Sequence, residues 1–463
     1  MMHFSQALQR PVSWKTAWKV LWKEVKDQLH FLRLSQIFLV LFLLSFPFQI
    51  RTLVYSGSLY YSGNFSPYTT FFLYASDLLL VLSFLLWGIA VWKGETSEKI
   101  HFGYQGITFF LLLFSAMLLG NLFLAGDKVL HLFTTFRFLE LFLLYFLMVN
   151  RIVSLRMMMG CFLAACAFQA LVAFFQYFSQ GSLGLRILGE PVATPSTLGV
   201  AKIDIFGGKV LRAFGTFPHA NILGGALLMA TVFSFAFPKK YLWFFAPLAI
   251  FFAAALLISF SRSAFFGLVI SFMVFLSLQE KKISFRWIAL ILSLLLFFVV
   301  AFKAEEIFFR RFLFEDFQST QERTTYFDIS KNMLLAHPFG VGLGGFTLGM
   351  QDFTAVKLAP WLFQPVHNVF FLVMNETGIQ GIIFFALMLA VVFYALLRYF
   401  SRVKFPNERQ MTAILLALFF GIMTIFLFDH YFFSLYPGQV MLFFYFGLVS
   451  SFLRNERFPM RKV

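Results

Sequence analysis

The sequence is short of charge. Of its 463 residues only 13% are Asp, Glu, Lys or Arg, and acids are the scarcer sign, 21 against 37 basic residues. A soluble domain carries about a quarter charged residues, so water alone is excluded as the surroundings of this chain. Cysteine is nearly absent: Cys161 and Cys166 are the whole complement, inside one apolar run. On a helix an i, i+5 pair is too far apart and misdirected for a bridge. A disulfide framework and a thiolate metal site are thereby excluded. No HExxH, CxxC or Walker A pattern occurs, and the eight His are scattered, so neither a metal cluster nor P-loop chemistry has support. Internal repeats and low-complexity tracts are lacking too. A cleavable signal is not expected, because the basic stretch to Arg33 is long and no small-residue cleavage site follows the first apolar run.

What abounds is apolar surface. The chain is 60% hydrophobic with 72 Phe, and its mean hydropathy is +0.81. A protein core cannot absorb that much, so lipid must cover it. The net charge of +16 would suggest nucleic acid in a soluble protein. Here Lys and Arg serve to hold cytoplasmic loops in place, and no nucleic-acid partner is expected.

The apolar runs predict an all-α polytopic membrane protein of about 12 spans. These are Leu34–Val54, Phe71–Trp92, Ile107–Leu124, Val129–Val149, Met157–Phe178, Ile222–Phe237, Tyr241–Ile258, Ser263–Leu278, Trp287–Phe302, Val369–Tyr399, Met411–Leu427 and Pro437–Leu453. Basic residues sort by side. The N-terminal tail, residues 1–33, alternate loops such as Lys239/Lys240 and Arg398/Arg402/Lys404/Arg409, and the C-terminal tail, residues 454–463, hold most of them. Both termini are therefore expected in the cytoplasm. The two long loops, 179–221 and 303–367, fall outside the cell membrane. The second predicts an amphipathic helix capped near Ser319 or Thr320 and stopped at His337-Pro338. Residues 1–463 read as one membrane domain with an external insertion.

Polar residues in so apolar a chain need a reason. Arg212 opens a turn through Gly215 and Pro218 into an apolar run, and Asn221 is placed to cap that helix. Arg262 lies in a very short external hairpin, against the positive-inside bias, where an anionic ligand would explain it. His367 and Asn368 stand at the outer mouth of the tenth span. A His there suits a general base near neutral pH. Glu376, deeper on the same helix, predicts an Arg or hydroxyl partner, and Gly378 and Gly381 follow it on one face. Arg137 and Glu140 share a helix face at i, i+3 and suit an intramembrane ion pair, with Asp77 a further acid for an Arg. The run Gly340-Val-Gly-Leu-Gly-Gly345 matches GxGxxG literally. It follows no βαβ unit, so it reads as a flexible turn.

At these residues the chain resembles the bacterial O-antigen ligase and polymerase family of inner-membrane glycan transferases. The resemblance rests on RAFGTFPHANILGG (212–225), SRSAFFG (261–267), HPFGVGLGGF (337–346) and HNVFFLVMNETGIQG (367–381). The last fits the family's pattern of His, then Asn, Ser or Gln, nine residues, Gly, two residues, and a small or aromatic residue, here His367, Asn368, Gly378 and Gly381. The first five spans resemble the family only in topology.

The resemblance implies a GT-C-like fold, an undecaprenyl-diphosphate-linked glycan donor, a lipid A core or other glycan acceptor, and transfer in the periplasm with neither metal nor cofactor. Carried over, Arg212 and Arg262 bind the diphosphate and His367 acts at the acceptor hydroxyl. Within the family, ligase, polymerase and protein O-oligosaccharyltransferase remain open. Outside it, the rival is a transporter or lipid flippase, which should show paired repeats and polar groups near the midplane.

Overall fold

A computed structural model describes residues 30–57, 60–61, 64–96, 99–197, 199–205, 208–237, 239–279 and 317–454. Most of the N-terminal tail, the ninth apolar run Trp287–Phe302, the start of the second long loop and nearly all of the C-terminal tail lie outside the described residues.

Each of the other eleven apolar runs is met by a helix. These are α1 (Phe31–Ser45), α2 (Ala75–Trp92), α3 (Gln105–Gly120), α4 (Lys128–Val149), α5 (Leu155–Ser179), α6 (Ala220–Phe233), α7 (Leu242–Ile258) and α8 (Arg262–Ser277). After α9 (Phe317–Ala336) come α10 (Val369–Arg402), α11 (Pro406–Phe428) and α12 (Tyr436–Leu453). Seven of them are long and apolar enough to cross a membrane, and α1, α6, α7 and α8 are shorter apolar helices. Local signals set the starts. Asp127 accepts from Leu130 N and Asn368 from Phe371 N, at 2.9 and 3.1 Å, while α11 and α12 open with Pro in their first turn.

The most apolar stretch of α12 is 94% buried, whereas α2 and α3 are only 33% buried. α12 is thus a central post packed on α4, and α8 lies along α11. The outer helices turn Leu85, Phe109 and Leu112 outward, apolar surface that only lipid would cover without cost.

Three expectations are corrected. First, the fold is not purely helical. The end of the first apolar run and the start of the second are strands, β1 (Arg51–Ser56) and β2 (Thr70–Tyr74), paired antiparallel with a bulge at Leu53/Tyr55. Thr, Val, Tyr and Phe favour a pleated ribbon, and hydropathy alone does not separate that from a helix end. A second hairpin, β3 (Lys202–Ile205) and β4 (Gly208–Leu211), leads into Arg212. Second, α9 already includes Phe317, so Ser319 and Thr320 lie inside it and do not cap it. Its stop is where expected: the His337 N–H bonds Met333 O at 2.8 Å, and Pro338 follows.

Third, the glycine-rich run is an anchored plug. Gly340, Gly342 and Gly344 have φ of 93°, 87° and 75°, values that glycine adopts without strain. The run docks where α10 breaks at Gly378, whose φ is 78° and ψ −179°. Val341 N donates to Asn375 O at 3.0 Å, Gly342 N to Glu376 O at 2.9 Å and Ile379 N to Pro338 O at 3.0 Å. Leu343 N donates to His131 Nδ1 at 2.8 Å. Backbone groups freed by the break are thus satisfied, as apolar surroundings demand.

Candidate active site

Segments far apart in sequence meet around one cleft of about 270 Å³, counting its open mouth. Tyr68, His219, Asn221, Gln364, His367, Asp429 and His430 line it.

An arginine linked to it is placed from below. The turn after β4 is bolted to α5 by two buried glutamines: Gln176 Oε1 accepts from Gly215 N at 2.8 Å and Gln169 Oε1 from Thr216 N at 2.7 Å. Arg212, 5% exposed, is thereby aimed at the corner between α7 and α8. Its Nε donates to Ser259 O at 2.8 Å and its Nη2 to Asn221 Oδ1. Asn221 Nδ2 in turn donates to Asp429 Oδ2 at 2.6 Å, and Asp429 Oδ1 accepts from His430 N at 2.8 Å. The result is a buried relay from guanidinium to carboxylate through a neutral amide.

His367 meets the end of that relay. Its ring lies 5.1 Å from that of His430, edge to face, and stacks on Tyr326 of α9 at 5.6 Å. Tyr68, from the loop before β2, sits edge-on to His430 at 5.4 Å. Nδ1 of His367 is buried and makes no hydrogen bond, although the side chain as a whole is only partly buried. Burial first, then the neighbouring His430, pushes the His367 pKa down to about 3, with Arg323 adding to the push and Asp429 opposing it. Burial takes His430 to about 3 as well. Both imidazoles are therefore neutral near pH 7, and burial leaves each a weaker base than a solvated His. Burial and Asp429 push the Tyr68 and Tyr431 hydroxyls up.

Arg262 begins α8, one residue after its cap Ser261. The corner that carries it is the corner that holds Arg212 through Ser259. It packs tightly on α6: a Cβ on Gly224 would lie 2.8 Å from that of Ser261.

Several sequence-based roles change. Asn221 does not cap α6; His219 does, accepting from Asn221 N at 3.1 Å, and the Asn221 side chain is left for the relay. Asn368 is the cap of α10, and its Nδ2 also ties down Leu427 O at 3.1 Å. Among the described residues Glu376 is bound by neither an Arg nor a hydroxyl. Its Oε1 accepts from Gly344 N of the plug at 2.9 Å, because the broken helix and its plug offer backbone donors there. Gly378 is approached by that plug: a Cβ would lie 2.5 Å from Phe339 O. Gly381 faces α3, where Met117 Cε would be 3.3 Å from a Cβ. The nine-residue gap between Asn368 and Gly378 is therefore the distance from a helix cap to a helix break.

The sequence reading missed Asp429, Tyr68, Tyr326 and Arg323, and took His430 only as one scattered His. The available signal was an acid beside a His between two apolar runs. His219, His367 and His430 do converge, yet among the described residues no group of three His, Cys, Asp or Glu is arranged to hold a metal.

Residues 247–386 match the family described as O-antigen ligase. The likeness to that family covers less than a third of the chain. No curated protein matches the sequence. The ligase-family segment takes in Arg262, the glycine plug, His367, Asn368, Glu376, Gly378 and Gly381, while Arg212, Asn221 and Asp429 stand outside it. Members of that family are glycosyltransferase-like enzymes with glycan and lipid-linked substrates, and seven helices of this chain are long and apolar enough to cross a membrane.

Proposed function

We propose that the protein is an O-antigen ligase of the bacterial inner membrane, moving a polysaccharide from undecaprenyl diphosphate to a sugar hydroxyl of the lipid A core. Both termini are cytoplasmic in this reading, and loops 179–221 and 303–367 are periplasmic. One observation carries it: Asn221 and Asp429, which are linked to Arg212, line the same cleft as His367. A cation linked to the cleft and a proton acceptor within it are what this transfer needs.

His367 takes the proton of the acceptor hydroxyl as its oxygen bonds the anomeric carbon of the donor glycan. The bond from that carbon to phosphate oxygen breaks, and its electron pair leaves with the lipid diphosphate. Arg212 and Arg262 stabilise the charge that develops there, since guanidinium forks suit phosphate oxygens. Asn368 fixes the helix start that presents His367. No metal is invoked, so transfer should survive EDTA.

The test is transfer in purified membranes with donor binding measured in parallel. His367→Ala should lose about 10²–10⁴ in rate, the typical worth of a general base, and still bind donor. Arg262→Ala should lose donor binding. Normal transfer by His367→Ala would sink its role. In a knockout, loss of polymer on lipid A with lipid-linked polymer accumulating supports ligation; single repeat units on lipid A instead mean a polymerase.

A further inference from the structure

A larger cavity lies at the end of the bundle away from the cleft. The starts of α5 and α11 and the ends of α6 and α12 enclose it. The cleft takes Asn221 from the opposite end of α6, and Asp429 follows the opposite end of α11. The 23 residues of α11 separate the two by about 33 Å of helical rise, close to the hydrocarbon thickness of a bilayer, about 30 Å. A cleft at one headgroup layer therefore puts the cavity at the other.

The cavity encloses about 470 Å³, within the size of small-molecule sites, about 300–1,000 Å³. Its wall has two natures. Met159, Phe237, Met411 and Phe452 supply apolar surface, and among the described residues Arg156 and Glu408 are its only charges. No ion pair joins those two. Arg156 is exposed in the first turn of α5, where the helix dipole adds to its pull on an anion. Glu408 is half-buried, and its Oε2 accepts from the Tyr399 hydroxyl at 2.8 Å. That bond fixes the carboxylate and leaves Oε1 for a further donor. A guanidinium and a carboxylate that do not meet, beside apolar surface at headgroup depth, complement a zwitterionic head above an acyl chain.

We infer that this cavity holds one phospholipid whose head carries a phosphate and a primary ammonium. The phosphate lies on Arg156, the ammonium donates to Glu408, and the start of an acyl chain covers Met159, Phe237, Met411 and Phe452. Charge-assisted hydrogen bonds at both ends of the head select it. A phosphocholine head has no N–H to donate, and a phosphoglycerol head has no cation. The inference does not rest on the transferase reading, because none of these residues belongs to the cleft.

The experiment is native mass spectrometry of the full chain released from detergent, titrated with phosphatidylethanolamine, phosphatidylcholine and phosphatidylglycerol of identical chains. Phosphatidylethanolamine should bind about tenfold more tightly than the other two, a modest return for a hydrogen bond to a charged group. Glu408→Gln should remove that preference, and Arg156→Gln should weaken all three lipids about tenfold. Ala236→Trp, at a partly buried position on the wall, should abolish binding by filling the space, with the melting curve confirming a folded protein. Equal binding of the three lipids, or a preference unchanged in both charge variants, overturns the inference. So does binding that appears only once residues 1–29 or 455–463 are deleted, since the chain itself would then fill the cavity. No readout involves transfer, so the outcome is independent of the His367→Ala test.

Discussion

Arg137 and Arg212 are both almost fully buried, at 4% and 5% exposure, and they are held in opposite ways. Arg137 meets two carboxylates within 2.7 Å, donates to Phe72 O, and lies over the ring of Tyr436 at 4.6 Å. Its charge is cancelled where it sits. The Nε and Nη2 of Arg212 go to a carbonyl and an amide oxygen, and Asn221 links it onward to the carboxylate of Asp429. These two bonds hold the guanidinium through neutral acceptors. The first arrangement suits a fixed support and the second a working cation; the i, i+3 spacing already points to Glu140 for Arg137, while no spacing points to Asp429 for Arg212.

Removing one partner breaks the comparison most visibly. Arg137→Ala strands Asp77 and Glu140 and should cost about 3–5 kcal/mol of stability, the usual penalty for an uncompensated buried charge. Thermal melting in detergent checks this, and adding Asp77→Asn and Glu140→Gln should recover much of the loss. A well-folded Arg137→Ala protein that has merely lost transfer would erase the distinction. Arg212→Ala should do the reverse. Transfer should fall about 10²–10³-fold, as when one charge-stabilising donor is removed, with the melting point little changed. Arg212→Lys should recover part of the rate, since Lys keeps charge and loses the fork.

The comparison sharpens if the second site is remade in the image of the first. Asn221→Asp puts a carboxylate directly on Arg212 and sets it against Asp429. Transfer should drop about tenfold while folded protein persists, an effect of roughly 1.4 kcal/mol on the barrier. Unchanged rates would show that the amide has no electrostatic purpose.

The smallest effect is a pH dependence. The folded pKa of His367 and of His430 is depressed to about 3, below the ordinary 6.5. Between those values the unfolded chain binds more protons, so stability rises with pH there and is lost as pH falls through 6.5. Acidifying from pH 7 to 5 should cost about 1–2 kcal/mol for the pair, discounted because His367 is partly exposed. His430→Gln should flatten the slope of melting point against pH.

Helices were easy to read in this sequence because long apolar runs are the strongest pattern a membrane chain has. The β1–β2 ribbon was not, since Leu53, Val54, Phe71 and Phe72 are as apolar as any span. Arg212, Arg262 and His367 stood out as ionisable groups at the ends of spans. Their connections did not. Asn221 and Asp429 are 208 residues apart, and Tyr68 and Tyr326 are two among 15 tyrosines, so neither spacing nor composition singles them out. GxGxxG misled differently: its glycines reflect positive φ in a docked plug, where open sequence suggested looseness.

That plug bears on the order in which the chain is made. α10 enters its apolar surroundings already broken at Gly378, about 14 Å below its start by helical rise. Its partners lie close upstream: Gly344 is 32 residues before Glu376, and Phe339, whose carbonyl takes the Gln380 amide, is 41 before its mate. The loop therefore leaves the ribosome before the helix it repairs. An unbroken α10 never has to exist as an intermediate, and the exposed peptide groups are covered as soon as they are synthesised. Moving residues 338–344 downstream of α10 in a permuted chain would withhold the cover, and insertion of that helix should become slow and prone to degradation.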